Sequence, residues 1–474
     1  MPGGDGNANR VTQLWPAEPT PAGVTAPGGE RAGGRPRWHA AALLSAVCWA
    51  SPGVAAQIDY GMGLTASYET NINRVETNVQ PEITESLIAG FAASENTGDI
   101  NGRVTAQLER RHFVKGTFSD DTTAFIDGSG LWTIQPRRFT WLVEDTFREV
   151  QLDLTAPDTP SNRAKSNSFN TGPNYTLPLS ATNTVLVAGR YGRFDIQNSV
   201  NDNRRYGVLV SGIHSLSPQS RISANYEATR TFFEPEATPF PKVLREDEYF
   251  RYESLYAGSG ATIDIGSSRV TRYGGDPLVG NLYRFSLIKA LGPDTGIRAL
   301  YVDEISDTFS DLIRGINQSS SPTDPGVVVL QGTSLGTADL YHSKRGELGY
   351  GSQGSRFQYT FLGFARKVDF ETLNEDYDER GGRITLSWIL SGATRVGIYT
   401  DYSKRDYQSF ERQDIDRNSF ISGEFRVNRN VSVTLFGNIA RRDSTVDGQS
   451  YVDKKIMVVL GYSTGSQYGV QSRR

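Results

Sequence analysis

The stretch that decides the fold is Ile384-Thr385-Leu386-Ser387-Trp388-Ile389-Leu390, followed by Ser391-Gly392-Ala393 and then by Thr394-Arg395-Val396-Gly397-Ile398-Tyr399. Apolar and polar side chains alternate on both sides of a short turn. Alternation with period two puts one kind of side chain on each face, which predicts two antiparallel strands joined as a hairpin. The same alternation recurs along the chain, for example in Arg103–Glu109 and in Ile421–Asn428. We therefore predict about 18 to 20 strands, with 20 as the best count.

The connections between these segments alternate in length. Short turns are predicted near Asn96-Thr97-Gly98, Gln135-Pro136, Leu179-Ser180, Ser217-Pro218, Gly266-Ser267, Gly292-Pro293-Asp294, Ser352-Gln353-Gly354, Ser391-Gly392-Ala393 and Asn428-Arg429-Asn430. Longer polar stretches lie between them, at Gln151–Ser166, Phe233–Asp247, Ser306–Gly336, Glu371–Asp378 and Arg442–Ser450. Ser306–Gly336 is the one that we expect to be long enough to fold inward as a constriction.

This alternation of connection lengths favours a membrane barrel over a soluble sandwich. Transmembrane barrels have short periplasmic turns on one side and longer loops on the other. A sandwich shows the same period-two alternation but has no reason to alternate its loop lengths. We therefore predict an all-β protein: a single transmembrane antiparallel up-and-down β-barrel over residues 57–462, in a Gram-negative outer membrane, with both termini periplasmic.

Composition agrees with this prediction. A hydrophobic content of 37% and a mean hydropathy of -0.43 would usually indicate a soluble protein. In a barrel, however, every second strand residue faces a polar interior, so the average hides the membrane face. The formal net charge is -4 with no basic concentration, which argues against nucleic-acid binding.

The N-terminus is predicted to be a targeting segment. Arg35-Pro36-Arg37 precedes a short apolar core at Ala40–Ala50, and Val54-Ala55-Ala56 offers a cleavage site ahead of Gln57. We predict a signal peptide over 35–56, a disordered or over-extended start over 1–34, and a polar C-terminal tail over 463–474. The only cysteine, Cys48, lies within the predicted signal, so a mature chain without disulfides or thiolate metal sites is expected.

Charged residues on the polar strand faces are candidates for lining the lumen. Two interpretations remain open: they bind a hydrated polymer weakly at many places, or they pair across strands and stiffen the wall. The candidates are Arg103, Glu109, Arg111, Glu144, Arg148, Arg190, Glu227, Arg383, Arg395, Asp401, Glu424 and Arg426.

The sequence gives little support for an enzyme or for a metal-binding protein. His214 and Ser215 are adjacent, but adjacent strand residues point to opposite faces and cannot pair as base and nucleophile merely by being neighbours. No spacing of metal ligands is apparent, so we expect no catalytic residue, cofactor or metal; an outer-membrane hydrolase is the alternative. An acidic run is either a solvated loop or a set of Ca²⁺ ligands: Glu371, Glu375, Asp376, Asp378 and Glu379.

The opening segment Gly63–Arg74, with Asn71-Ile72-Asn73, resembles the first strand and loop of outer-membrane β-barrel porin families associated with exopolysaccharide gene clusters, including the exosortase-associated branch. Asp376–Arg380, Tyr399–Ser403 and Asn438–Arg442 are similar to later segments of these families. The chain departs from them in the polar tail after Tyr462, where such barrels often end on an aromatic residue. Glu69-Thr70 also replaces the usual acidic pair.

The resemblance implies a role in producing or exporting an exopolysaccharide. The expected partners are outer-membrane lipid, a polysaccharide, periplasmic export components and the barrel-assembly machinery. Two alternatives remain open: a general diffusion porin for small solutes, and a non-conducting scaffold for surface polymer.

Overall fold

The computed structural model describes residues 57–96, 98–153, 155–197, 202–234, 242–256, 258–307 and 340–464. The predicted signal peptide, Cys48 and most of the predicted constriction loop and polar tail lie outside these residues. The strands are β1 (Gln57–Glu69), β2 (Glu82–Asn96), β3 (Ile100–Phe113), β4 (Asp121–Gln135), β5 (Phe139–Gln151), β6 (Arg163–Pro178), β7 (Asn183–Ile196), β8 (Asp202–Ser217), β9 (Ser220–Glu234), β10 (Lys242–Tyr256), β11 (Ser259–Arg272), β12 (Leu278–Ala290), β13 (Thr295–Asp307), β14 (Leu340–Gln353), β15 (Phe357–Phe370), β16 (Tyr377–Ile389), β17 (Thr394–Tyr407), β18 (Gln413–Arg426), β19 (Val431–Ser444) and β20 (Tyr451–Ser463).

The sheet closes on itself. Each strand pairs antiparallel with the next in sequence, and β20 returns to pair with β1, where Leu64 faces Leu460 and Tyr68 faces Ile456. The described residues thus form one closed barrel of 20 strands, which confirms the predicted fold class and the best strand count. Over the same residues, no helix is long and apolar enough to cross a membrane.

The lengths of the connections follow the predicted alternation. Pro218 and Gln219 alone join β8 to β9, whereas residues 70–81 separate β1 from β2. Because the strand number is even, β1 begins and β20 ends on the side of the short turns. That side is the periplasmic one in barrels of this type.

One predicted turn, Gly266-Ser267, is wrong. Gly266 lies in the middle of β11 and faces Tyr249 across the ladder. The turn falls instead before Ser259, where Gly258 has a positive φ of 76° that favours glycine. Gly266 is needed for close packing, because a Cβ there would overlap the carbonyl oxygen of Glu248 and approach the Cα of Tyr249 to 2.6 Å.

The two faces of the wall differ in polarity. On β1, Ile58, Tyr60 and Leu64 are more than half exposed, whereas Asp59 and Ser67 on the other face are 6% exposed. An apolar outer surface around a closed barrel is stable in hydrocarbon and costly in water, at about 25 cal/mol per Å². The barrel therefore spans the outer membrane.

Gly266→Ala tests the tight packing in β11. We expect it to destabilise the barrel by about 1–3 kcal/mol, because the new methyl group has no space. The matched control is Gly423→Ala in β18, where a Cβ would meet nothing within 4 Å. Denaturant unfolding of both variants in lipid vesicles provides the measurement. Equal stability of the two variants would contradict the packing argument.

Candidate functional site: the inner wall and its strap

The ladder pairings place all twelve sequence-predicted residues on the face opposite to the exposed aliphatic side chains. Arg103, for example, faces Ser129, which faces Glu144 and then Asn170 on successive strands. The twelve are Arg103, Glu109, Arg111, Glu144, Arg148, Arg190, Glu227, Arg383, Arg395, Asp401, Glu424 and Arg426. Their role along a route through the lumen is taken up as a proposal below.

Four of the predicted residues form two ion pairs in the structure. Arg383 Nε donates to Asp401 Oδ1 at 3.0 Å on the neighbouring strand, and Arg426 Nε donates to Glu424 Oε1 at 3.2 Å on the same strand. The remaining candidates are distributed around the wall, and several of them contact other groups. Arg111, for instance, bridges Asp121 and Glu149, the latter at 3.0 Å. Pairing across strands, one of the two interpretations from the sequence, is therefore present in the geometry.

A larger ionic network on β10–β13 was missed by the sequence analysis. Its centre is Arg284, whose guanidinium lies 2.6 Å from Glu304, 3.8 Å from Asp264 and 3.9 Å from Asp247. Arg245 lies 3.0 Å from Asp247 and 3.7 Å from Glu304. Neighbouring strands are about 4.8 Å apart, so one arginine reaches carboxylates on two strands at once.

Arg251 extends this network toward the periplasmic end of β10. It binds Asp264 through two parallel hydrogen bonds of 2.7 and 2.8 Å. The ring of Tyr249 lies 5.3 Å from the Arg251 guanidinium and 5.9 Å from that of Arg284. Cations over an aromatic face are attracted by its quadrupole. Removing one member of such a buried set would leave a charge unpaired, at a typical cost of about 3–5 kcal/mol.

The sequence hid this network for two physical reasons. β10 carries charges on both faces, with Arg245 and Asp247 inside and Glu246 and Glu248 outside, so alternation does not show which face is apolar. The misplaced turn at Gly266 also put Asp264 near a strand end instead of within the wall. A register built on the Gly258 turn would have placed it correctly.

The acidic run after Phe370 is not gathered into one cluster. Asp376 Oδ1 accepts the Phe370 amide at 2.6 Å, and Asp378 Oδ2 accepts Gln408 Nε2 at 2.6 Å. Glu379 lies on the other face and accepts Arg405 Nη2 at 3.1 Å. In the described part of the chain, no group of three or more His, Cys, Asp or Glu side chains is arranged to hold a metal ion.

The loop between β5 and β6, residues 152–162, forms a braced segment that we call the strap. Asn162 is its main brace: its Nδ2 donates to Asp153 O at 2.7 Å and to Pro157 O at 3.0 Å. Asp153 Oδ1 in turn accepts the Thr155 amide at 2.7 Å. A 3₁₀ turn at Pro160–Asn162 leads into β6. Loops that bond to their own backbone in this way keep a defined shape.

The strap reaches side chains of distant strands. Thr155 O accepts Arg412 Nη2 at 2.6 Å and Arg442 Nη1 at 3.3 Å. Asp414 and Asp416 hold these two arginines through paired hydrogen bonds. From β19 to β5 the wall runs through six strand intervals, or about 29 Å. The strap therefore crosses part of the mouth instead of standing upright.

The strap is marked by local sequence signals. The stretch Ser306–Gly336, which is long enough to fold inward, lies mostly outside the described residues, so that expectation stays a prediction. The useful signals in the strap were local: two prolines, Pro157 and Pro160, and the side-chain braces Asp153 and Asn162 at the two ends. Asx residues of this kind bond to nearby backbone and shape loops.

Ion pairs of Asp158 hold the middle of the strap in place. Asp158 bonds to Arg163 at 2.8 and 3.0 Å and lies 3.9 Å from Arg74 of the β1–β2 loop. Partial burial raises the pKa of Asp158, but Arg163, Arg74 and Arg442 outweigh this effect and hold the pKa at about 2. In the β15–β16 loop, burial raises the pKa of Glu375, and the Asp153 carboxylate raises it further.

Comparisons with known proteins concern the barrel alone. No protein-family model matches the chain, and no curated protein matches it. Among solved structures, a variant of the ferric enterobactin receptor from Pseudomonas aeruginosa is 10% identical, with a TM-score of 0.46 over 86% of this chain and 81% of that chain. The FrpB iron transporter from Neisseria meningitidis is 9% identical, with a TM-score of 0.45 over 85% and 81%. The siderophore receptor PirA from Pseudomonas aeruginosa is 13% identical, with a TM-score of 0.42 over 87% and 81%. These likenesses are too distant to carry an argument about function.

Arg442→Gln tests the attachment of the strap. A charge-assisted hydrogen bond contributes about 1.5–3 kcal/mol, so its loss should loosen the strap although Arg412 still donates to Thr155 O. A nitroxide at Ala156→Cys in a Cys48→Ser background should then show faster motion in its electron spin resonance spectrum. Arg441→Gln is the matched control, because Arg441 lies on the other face of β19 and is half exposed. Equal mobility in both variants would contradict the attachment.

The same label tests the electrostatics of Asp158. Its pKa of about 2 lies below the ordinary value of about 3.9, so its contribution is present above the ordinary value and is lost as pH falls toward 2. We expect the label to stay immobile down to about pH 4 and to be released between about pH 4 and 2. Asp158→Asn should release it already at pH 7.

Glu375 supplies the control for this titration. The shift of its pKa has the opposite sign: its contribution is present at low pH and is lost as pH rises, because an ionised Glu375 is poorly solvated where it is buried and also repels Asp153. Glu375→Gln should remove any change in mobility that accompanies the ionisation of Glu375 and leave the acid release intact. An acid release absent from Glu375→Gln would show that Asp158 is not the responsible group.

Proposed function

We propose that the protein is an outer-membrane pore that passes a hydrated polymer, as part of an exopolysaccharide production or export system. The observation that carries the proposal is a closed 20-strand barrel whose polar inner wall is crossed at its mouth by a fixed strap. Three features support it in turn: width, charge and the shape of the mouth.

Width allows a water-filled path. Barrels of 16 to 18 strands already leave an aqueous channel, and diameter grows with strand number. A wall of 20 strands therefore has room for a hydrated chain beside the side chains that coat it. A barrel of this width admits small solutes equally well, so the general diffusion porin is the second candidate.

Charge on the wall is largely paired with itself. Arg383 binds Asp401, and Arg284 lies among three carboxylates. A wall of this kind offers many weak polar contacts and little net field. Conduction requires sites that bind weakly and repeatedly, so neutral or weakly charged polymer fits better than a densely anionic one. In this proposal the twelve predicted residues line the route.

The strap narrows the mouth. It is held through the Thr155 carbonyl and through Asp158, which lies near Arg74 of the β1–β2 loop. An extended polymer can thread a narrowed mouth end-on, whereas a folded protein cannot. The resemblance of the opening segment to exopolysaccharide-associated families supports the same cargo. Periplasmic export components and the barrel-assembly machinery are the partners that this role requires.

Single-channel recording in planar bilayers tests the pore. We expect stable conductance that is reduced by a neutral dextran added on either side. A variant with residues 153–161 replaced by Gly-Gly should conduct more and be blocked less, because the mouth is wider. Replacement of residues 446–449 by Gly-Gly, in the β19–β20 loop, is the control and should conduct like the unmodified protein.

The outcomes separate the candidates. Block by dextran in the unmodified protein supports a polymer conduit, and equal block by an anionic alginate at low salt would contradict a self-neutralised wall. Conductance indifferent to polymer, with liposome swelling by small sugars, would favour the general porin. Absence of conductance from a correctly folded barrel would overturn the pore and favour the surface-polymer scaffold.

A further inference from the structure

The outer face of β15 shows a sudden change in side-chain size. Phe357, Tyr359 and Phe361 follow one another along the strand, with ring centroids 5.8 and 5.5 Å apart. The next two outward-facing positions are Gly363 and Ala365. The wall therefore passes from three neighbouring rings to almost no side chain within a few residues.

This change opens a groove on the membrane face of the barrel. Gly363 faces Gly382 of β16 directly, so two glycines form its floor. Leu348, Ile384 and Tyr402 stand around it, and its volume is about 610 Å³. Each of these three side chains is more than a third exposed. The groove is thus an apolar trough that faces hydrocarbon.

Basic side chains stand at one end of the groove. In the row next to the glycine floor, Ala365 faces Arg380, which faces Lys404. One row further out, Lys344 faces Lys367. Four cations on neighbouring strands therefore lie about one to two residue pairs, roughly 7–14 Å, from the floor. They lie on the side of the long loops, which is the outer leaflet side.

Carboxylates lie close to three of these four cations. Lys344 lies 3.6 Å from Asp303, Lys367 lies 2.8 Å from Asp369, and Lys404 lies 3.5 Å from Asp406. A fourth carboxylate nearby, Asp378, accepts Gln408 Nε2. Among the described residues, Arg380 is exposed and has no carboxylate within 4.0 Å. Arg380 is therefore the cation of this cluster that is most available to an anionic group.

We propose that this groove binds a phosphate-bearing glycolipid of the outer leaflet. An acyl chain lies in the trough over Gly363 and Gly382, and the phosphate is bound by Arg380 and Lys404. Arginine binds phosphate through two parallel hydrogen bonds, and charge-assisted bonds of this kind are about twice as strong as neutral ones.

The arrangement fits a lipid better than another protein. The groove lies within the apolar belt, so its natural surroundings are acyl chains. It is apolar along its length and has the exposed Arg380 beside it at one end, which matches a molecule with an apolar tail and an anionic head. From Phe361 to Lys367 the strand rises about 20 Å, enough to take much of one leaflet's depth.

Native mass spectrometry of the full-length, delipidated protein with added lipid A tests the site. Gly363→Leu should fill the trough without distorting the wall, because a Cβ there meets nothing within 4 Å. Gly423→Leu, on the outer face of β18 with the same free space, is its control. We expect about tenfold weaker retention of lipid A in Gly363→Leu and unchanged retention in Gly423→Leu.

Charge variants test the headgroup end. The double variant Arg380→Gln with Lys404→Gln should weaken lipid A about tenfold, whereas Lys454→Gln, outward on β20, should not. Phosphatidylethanolamine should be retained weakly by all variants. Retention of lipid A that is equal in Gly363→Leu and Gly423→Leu would overturn the proposal, as would a dimer mass that Gly363→Leu abolishes. Equal retention of phosphatidylglycerol would overturn the glycolipid assignment.

Discussion

The rest of the structure depends on the hydrogen-bonded seam between β1 and β20. A membrane offers no water to satisfy a strand edge, so a sheet survives there only when it closes. The seam is reinforced beyond its ladder at both ends. At the periplasmic end, Thr464 exchanges hydrogen bonds with Tyr60. At the outer end, the Asn71 amide donates to Asp453 Oδ1 at 3.0 Å, and Asn71 Nδ2 donates to Val452 O at 3.2 Å.

Asn71 gives a structural reason for the motif that carried the family resemblance. Its side chain is almost fully buried and also exchanges hydrogen bonds with Val75, so it ends β1 and starts the first loop. The residue ties the first and last strands of the barrel together at the outer rim. A resemblance at Asn71-Ile72-Asn73 is thus a resemblance in how a barrel closes, and it speaks to cargo only indirectly.

Much of this fold follows from the sequence because closure is demanding. A closed wall requires antiparallel neighbours, strict alternation and turns of two lengths, and all three leave regular traces in the chain. Prediction failed where another force replaced that regularity. At Gly266 a glycine serves close packing against Tyr249 and imitates a turn. On β10 both faces are charged, so Arg245 and Asp247 could not be assigned to a face by polarity.

The candidate site was less predictable for a related reason. Alternation assigns a side chain to a face, but it does not say which carboxylate an arginine reaches, since the partners lie on strands far apart in sequence. Arg442 and Thr155 are 287 residues apart and meet only because the barrel brings β19 and the strap to one rim. Loop length does not reveal the strap, because specific hydrogen bonds and ion pairs hold it in place and a short loop needs few of them.

The inner face of the wall contacts water, and the outer face contacts lipid. Arginines on the inner face reach water and carboxylates, so their charge is satisfied by pairing, and a narrow passage lined this way has little field of its own. On the outer face a charge is costly within the hydrocarbon, and Arg380 and Lys404 lie toward the rim on the side of the long loops. A glycine floor beneath these cations lowers the wall where a lipid tail must pass. The positions of charged side chains on both faces thus follow the boundary between lipid and water. The two proposed sites, the strap across the mouth and the trough in the apolar belt, lie where the regular wall changes.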